Sequence, residues 1–257
     1  MSDYSRITIT YKHTAAHITL KNPPVNVIDI QMMDELLLAI REVEQRPEIN
    51  AIVFRGQGKS FSAGVDIAAH TPENIQEMLS KFHAVILAIA NSPKVSIATV
   101  HGNCFGGGAE LALICDMAYT AEDSKWGFPE IKLGCFPPVA CVALAALVGQ
   151  KRATELILTG RTFNGREAER IGLVNDTAVS FLELDGIVDR SLKELSSMSA
   201  AALAITKKAI YTWDGLHLDK GIARAEKIYL EDLMKTDDVK EGIAAYTEKR
   251  TPVWKGK

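Results

Sequence analysis

The chain begins with two runs in which hydrophobic and polar residues alternate, a pattern that predicts strands. These runs cover residues 7–11 and 16–20, and the short separation between them predicts a hairpin. Further short apolar runs at residues 51–55, 95–100 and 117–120 predict three more strands.

Other stretches carry hydrophobic residues at the spacing of one helix face. The first begins after Asp29, whose side chain is suited to an N-cap, and ends before Pro47. Its apolar positions are Met33, Leu36, Leu37, Ile40 and Val43. Residues 72–90, 139–148 and 152–158 also predict helices.

This alternation of strands and helices predicts right-handed βαβ units and therefore an α/β fold. Residues 165–174 predict a short helix followed by a strand, whereas from residue 182 onward the pattern is helical throughout. We therefore expect an α/β core in residues 1–197 and a helical region in residues 198–257.

Composition and charge exclude several classes of protein. The chain has 257 residues, of which 47% are hydrophobic and 24% charged, and its formal net charge of −3 offers no overall basic surface for nucleic acid. No apolar run is long enough to span a membrane, and residues 1–6 lack the apolar segment of a signal peptide. We expect a cytoplasmic protein that binds neither nucleic acid nor a membrane.

Three consecutive glycines mark the first candidate site. Gly106, Gly107 and Gly108 join a buried strand to a helix, and residues without a Cβ let backbone N–H groups approach a ligand closely. Glu110 follows on the first helical turn, where its carboxylate is expected to overhang the same pocket. The alternative is that the glycines only permit close packing and that Glu110 is an acid favoured by the helix dipole.

Two further sequence motifs help to interpret the three glycines and Glu110. Phe61-Ser-Ala-Gly-Val-Asp66 forms a second glycine-containing turn, and Phe128-Pro-Glu-Ile-Lys-Leu-Gly134 places Glu130 on a loop stiffened by proline. These two motifs, in order with the motif that runs from His101 to Asp116 between them, resemble the crotonase (enoyl-CoA hydratase/isomerase) superfamily. The resemblance implies a spiral of ββα units, with a helical C-terminal region that packs against neighbouring subunits, usually in a homotrimer or a dimer of trimers.

The resemblance also implies roles for individual residues. The backbone N–H groups of Val65 and Gly107 would form an oxyanion hole for a thioester carbonyl. Glu110 would take a proton from water and Glu130 would deliver one to carbon, which is the pair of acids that superfamily hydratases use. The alternative for Glu130 is an exposed loop acid paired with Lys132.

Coenzyme A would arrive as part of the substrate, so no separate cofactor is expected. By resemblance, the candidate contacts to it are Pro24, Val25, Ala63, Asp66 and Lys249. Two of these have simpler alternatives, because Asp66 can organise its own turn and a lysine near a chain end is commonly only solvated.

The acyl pocket departs from the common family pattern. After Gly134, a glycine-rich run is replaced by a segment that contains Phe136, Pro137 and Pro138, which predicts a stiff wall and a flat slot. This segment resembles that of hydratases acting on cyclohexa-1,5-diene-1-carbonyl-CoA. We therefore expect a hydratase for such a dienoyl thioester, active in the degradation of aromatic compounds. The alternatives are a general enoyl-CoA hydratase or isomerase, and a CoA- or RNA-binding relative without activity.

The remaining reactive side chains are expected to be structural. The four cysteines, Cys104, Cys115, Cys135 and Cys141, show no spacing typical of a metal site, so no metal is predicted and the thiols are expected to be reduced. The sequence leaves open whether Cys104 or Cys135 lines the pocket. His101 is expected to be a hydrogen-bonded structural residue, and Asp116 to cap the end of a helix.

Overall fold

A computed structural model describes residues 4–71, 73–213 and 218–255. Within these residues a six-stranded sheet and a four-stranded sheet are surrounded by helices. The strands of the larger sheet are Ile7–Lys12 (β1), Ala15–Leu20 (β2), Ala51–Gly56 (β3), Val95–Val100 (β5), Met117–Ala121 (β7) and Asp176–Ala178 (β10). Those of the smaller sheet are Ser60–Ser62 (β4), Asn103–Phe105 (β6), Lys125–Gly127 (β8) and Phe163–Asn164 (β9).

The larger sheet has the order β1-β2-β3-β5-β7-β10. The predicted hairpin of β1 and β2 is confirmed, with Ile7 paired to Leu20, and the other neighbouring strands are parallel. Every residue of β5 is buried, as expected for a central parallel strand covered on both faces. The sequence predicts a strand at the end of residues 165–174. In the structure Leu173 and Val174 are buried in a turn, and the strand follows at β10.

The smaller sheet has the order β4-β6-β8-β9, in which the first three strands are parallel. Each of these three strands follows a strand of the larger sheet after a short connection, so that β3-β4, β5-β6 and β7-β8 are successive turns of one spiral. Because β4, β6 and β8 are parallel, the segments that leave their carboxyl ends meet at one edge. This edge carries the candidate site.

The helices include all those predicted. Their bounds are Ile30–Glu44 (α1), Ile75–Asn91 (α2), Gly107–Leu113 (α3), Pro138–Val148 (α4), Gln150–Thr159 (α5), Gly165–Arg170 (α6), Phe181–Ser196 (α7), Ala200–Trp213 (α8), Leu218–Glu231 (α9) and Asp237–Thr247 (α10). Asp29 caps α1 as predicted, because its side chain accepts a hydrogen bond of 2.8 Å from the N–H of Met32. The helix predicted from residue 72 begins at Ile75, and Pro72 lies outside the described residues.

The helices after residue 197 pack onto the rest of the same chain. Helix α9 contacts α4 and α2, and α10 contacts the short 3₁₀ helix Pro129–Leu133 that carries Glu130. The helical C-terminal region therefore covers the edge at which the candidate site lies. In the part of the chain that the structure describes, no helix is both long and apolar enough to cross a membrane.

One structural expectation is wrong and another is confirmed. Asp116 does not cap a helix end; its carboxylate accepts a hydrogen bond from the N–H of Ser96 (2.7 Å) and pairs with Lys207 (2.8 Å), which ties α8 to β5. His101 is structural as expected, with its Nε2 atom 2.8 Å from the carbonyl oxygen of Gly58.

Candidate active site

Three chain segments converge on one cavity, whose empty volume of about 560 Å³ includes the space at its open mouth. They leave the ends of β4, β6 and β8, and they carry Val65, Gly107 and Glu130 respectively. Gly64 (φ 103°) and Gly106 (φ 50°) lie in the left-handed region of backbone space, which residues with a Cβ rarely adopt. The glycines noted in the sequence therefore shape this cavity.

Two backbone N–H groups lie side by side at the cavity. A Cβ atom built on Gly107 would be 3.4 Å from the nitrogen of Val65, which shows how closely the two segments approach. Within the described residues neither N–H group donates a hydrogen bond to the protein. The pair is therefore available to a ligand oxygen.

Glu110 lies on α3 and is only 3% exposed. Its Oε1 atom accepts a hydrogen bond of 2.9 Å from the N–H of Ala140, at the first turn of α4. Burial raises the pKa of Glu110 to about 7, although the backbone N–H groups of Ala140 and Val139 act in the opposite direction. This carboxyl group can gain and lose a proton near neutral pH.

Glu130 faces the same cavity from the 3₁₀ helix that follows β8. A Cβ atom built on Gly106 would lie 2.6 Å from its Oε1 atom, while its Oε2 atom is buried and has no hydrogen-bond partner among the described residues. Burial, and then the charge of Glu110, raise the pKa of Glu130 well above its ordinary value. The alternative of an exposed acid paired with Lys132 is wrong, because Lys132 makes no ion pair with Glu130 among the described residues and only Lys132 is exposed.

The acyl-pocket residues predicted from the sequence line this cavity. Phe136 is half-buried, Pro137 and Pro138 are buried, and α4 begins at Pro138. Apolar residues of α2, namely Met78, Leu79 and Phe82, also line the cavity. The cavity is thus mostly apolar and contains the carboxyl groups of Glu110 and Glu130.

The predicted CoA contacts are spread more widely. Ala63 lies at the cavity and its N–H donates to the carbonyl oxygen of Val25 (2.9 Å), beside the exposed Pro24. Asp66 organises its own turn, because its side chain accepts a hydrogen bond from the N–H of Ala68 (3.0 Å). Lys249 is exposed and is not among the residues that line the cavity.

Sequence reasoning missed two residues of this region. Asn26 is buried, and its side-chain amide donates to the carbonyl oxygen of Ser60 (2.8 Å), which holds the turn beside β4. Tyr229, on α9, lines the cavity although it lies about a hundred residues beyond Glu130 in the chain. Its only signal in the sequence is a place on an apolar helix face.

The cysteines do not form a metal site. Cys104, Cys115 and Cys135 are buried free thiols and Cys141 is exposed. Neither Cys104 nor Cys135 is among the residues that line the cavity. Across residues 4–71, 73–213 and 218–255, no group of three metal-binding side chains of His, Cys, Asp or Glu is found.

Comparison with known proteins identifies the architecture. The pattern of the enoyl-CoA hydratase/isomerase family matches residues 10–257. The chain belongs to this family. It is an enzyme of the hydratase type, a lyase, and belongs to a family that acts on acyl-CoA substrates.

Two related sequences and one related crystal structure show the degree of similarity. The chain is 31% identical over 241 residues to a cyclohexa-1,5-dienecarbonyl-CoA hydratase from Thauera aromatica, covering 93% of this chain and 92% of that protein. It is 34% identical over 252 residues to a probable enoyl-CoA hydratase from Mycobacterium bovis, covering 97% of each. The crystal structure of an enoyl-CoA hydratase from Mycobacterium avium subsp. paratuberculosis superposes with a TM-score of 0.87 at 27% identity, covering 98% of this chain and 99% of that one. The expected crotonase fold is confirmed.

Proposed function

We propose that this enzyme adds water across the conjugated C=C bond of an enoyl-CoA thioester, with Glu110 and Glu130 as its acid–base pair. The observation that carries the proposal is the arrangement of one cavity. Among the described residues it brings together two backbone N–H groups without a partner, the buried carboxyl group of Glu110 and the half-buried Glu130, whose Oε2 atom is buried. Each feature meets one chemical demand of the reaction.

The first demand is to stabilise the negative charge that develops on the thioester oxygen. When hydroxide adds to the β-carbon, electrons move to the thioester oxygen and an enolate forms. The N–H groups of Val65 and Gly107 would hold that oxygen, and each such donor is typically worth about 2.7–4 kcal/mol in a transition state.

The second demand is proton transfer in two places. Glu110, with its pKa of about 7, is the group that can be ionised at neutral pH and take a proton from water as the C–O bond forms. Glu130, whose pKa is raised by burial and then by the charge of Glu110, can remain protonated and give its proton to carbon as the enolate returns to a thioester. One water is added, and the two carboxyl groups exchange protonation states.

For the acyl group we propose cyclohexa-1,5-diene-1-carbonyl-CoA. The support is the stiff wall of Phe136, Pro137 and Pro138, which suits a flat ring, together with the similarity to the Thauera aromatica protein named for that substrate. The hydroxyl group would add β to the carbonyl and the proton would go to the far end of the diene. A ring keeps that carbon near Glu130, whereas a straight chain would carry it away.

A specific observation also favours the second candidate, general hydration of straight-chain enoyl-CoA. The Mycobacterium bovis relative, named a probable enoyl-CoA hydratase, is 34% identical to this chain, against 31% for the Thauera aromatica protein. Loss of conjugated absorbance, measured as kcat/KM for cyclohexa-1,5-diene-1-carbonyl-CoA and for crotonyl-CoA, separates the two. We expect the cyclic thioester to be preferred about tenfold or more; equal values, or a preference for crotonyl-CoA, would overturn the cyclic assignment and leave hydration intact.

A further inference from the structure

The cavity contains a buried tyrosine hydroxyl group that the proposed mechanism does not use. Tyr229 is 1% exposed and lines the cavity together with Glu110 and Glu130. Its ring packs against Phe136, with centroids 5.1 Å apart and ring planes inclined at 58°. The residue therefore belongs to the acyl wall although it comes from α9.

The phenol oxygen of Tyr229 is buried and, among the described residues, makes no hydrogen bond of normal geometry, although the Cys135 thiol lies close enough to interact with it. The nearby thiol of Cys135 donates to the carbonyl oxygen of Leu133 at 3.6 Å instead. On the same cavity, Oε2 of Glu130 is equally without a partner. A buried polar group without a hydrogen bond costs free energy, so each of these atoms calls for an explanation.

The chemistry of the two atoms limits what can satisfy both. A phenol hydroxyl offers a hydrogen, and a carboxyl oxygen offers a lone pair. The acyl part of an enoyl thioester has only its carbonyl oxygen, which the N–H groups of Val65 and Gly107 are positioned to take. A hydroxyl group on the acyl chain, by contrast, can accept from one neighbour and donate to the other.

We propose that Tyr229 determines specificity for the hydroxyl group of a β-hydroxyacyl-CoA, to which its phenol donates a hydrogen bond while Oε2 of Glu130 accepts one. This inference rests on the function proposed above and adds to it a residue that discriminates the hydrated form of the substrate. Tyr229 also stays a donor, since burial raises its pKa well above the ordinary value.

One contact joins the helix of Tyr229 to α2, and another supports its ring. Glu226, one helical turn before Tyr229 on α9, pairs with the buried His83 of α2, with 2.7 Å between Oε2 and Nδ1. Phe136 supports the ring from α4's side of the cavity. A hydroxyl group fixed in this way can tell a ligand that carries oxygen from one that lacks it, because little conformational freedom is lost on binding.

The test compares two ligands that differ only in the hydroxyl group, 3-hydroxybutyryl-CoA and butyryl-CoA. Dissociation constants are measured for the full chain carrying Glu110→Gln, which suppresses turnover, with and without Tyr229→Phe. We expect Tyr229→Phe to weaken binding of 3-hydroxybutyryl-CoA about tenfold while the affinity for butyryl-CoA stays within about twofold.

The matched control is Tyr119→Phe, which removes a buried tyrosine hydroxyl that is hydrogen-bonded to Ser191 (2.8 Å) away from the cavity. This control should leave the ratio of the two dissociation constants unchanged but lower the Tm, whereas Tyr229→Phe, which removes an unpaired hydroxyl, should not lower the Tm.

The role of Tyr229 would be overturned if Tyr229→Phe left the ratio of the two dissociation constants unchanged, whether both affinities stayed the same or both fell equally. Failure of the proposed function is a separate result, namely no hydration of any enoyl-CoA by the wild-type enzyme. If Tyr229→Phe changed the ratio of the two dissociation constants but the wild-type enzyme hydrated no enoyl-CoA, the cavity would still be a hydroxyacyl-CoA site and the hydratase assignment would be wrong.

Discussion

At the scale of single residues, one hydrogen bond distinguishes the two acids. Glu110 and Glu130 are both placed in an apolar cavity that raises their pKa values. Glu110 receives two backbone N–H groups from the start of α4, whereas Glu130 receives only that of its own residue, and such contacts favour the ionised form. Glu110 therefore loses its proton first, and the charge that it then carries helps to keep the proton on Glu130. The proposed roles, Glu110 as base and Glu130 as acid, follow from this order.

The dependence of activity on pH tests that division. Since Glu110 is ionised in the proposed mechanism, kcat/KM should fall as the pH decreases through about 7, the raised pKa of this residue. Since Glu130 must be protonated, kcat/KM should also fall on the alkaline side, where that proton is lost. The profile of kcat/KM from pH 5 to 10 provides the measurement, and the two limbs belong to the coupled pair. A flat profile across this range would contradict the assigned protonation states.

At the scale of elements, the connection between β6 and α3 sets the place of Glu130. Gly106 has a positive φ, and a Cβ atom there would lie 2.6 Å from Oε1 of Glu130. The Gly106→Ala substitution should therefore displace the acid and lower kcat tenfold or more, since general acid catalysis alone is worth roughly 10²–10⁴-fold. Steady-state kinetics on an enoyl-CoA substrate checks this.

Gly58→Ala is the matched control for backbone strain. Gly58 also has a positive φ (77°), but a Cβ atom there meets nothing within 4 Å. The Gly58→Ala substitution should lower the free energy of unfolding and leave kcat close to that of the wild type. If both variants lost kcat equally, strain and not displacement of Glu130 would explain the effect.

How far the sequence predicts these elements depends on their length and on how local their contacts are. Strands β2, β3 and β5 contain several consecutive apolar residues and could be predicted. The strands of the smaller sheet are two or three residues long, too short to show a period, so that sheet was not predicted.

The candidate site shows the same limit. The glycine turns and both acids could be found because each lies in a local motif, and Glu110 and Glu130 meet because their strands are parallel neighbours. The position of Tyr229 depends on how α9 packs against α4 and α2, which is a long-range contact. The interpretation of Asp116 failed for the same reason, because its partner Lys207 lies on a distant helix.

At the scale of the whole molecule, the C-terminal helices close the cavity and also expose apolar side chains. Ile205 and Ile210 on α8 are 70% and 62% exposed, and Leu182 on α7 is 84% exposed. We propose that these faces are covered in a homo-oligomer, a trimer or a dimer of trimers. Sedimentation of the intact protein should show an assembly of this size, and a stable, active monomer would contradict it.

Removal of the helical region after Ser197 tests its role within one chain. The truncated protein would lack Tyr229 and the ion pair of Lys207 with Asp116, and it would expose the apolar face of α4 that α9 covers. We expect an insoluble or inactive protein, measured by solubility and turnover. Full activity in a soluble truncated chain would show that residues 1–197 form the site alone.

The central claim is that two carboxyl groups in one cavity carry out the hydration, and turnover of Glu110→Gln and Glu130→Gln tests it most directly. Each substitution keeps the size of the side chain and removes its acid–base function, and the amide oxygen at position 110 can still accept the N–H of Ala140. We predict that kcat falls about 10²–10⁴-fold in each variant, while substrate affinity and Tm change little. Near-wild-type turnover in either folded variant would contradict the two-carboxylate mechanism.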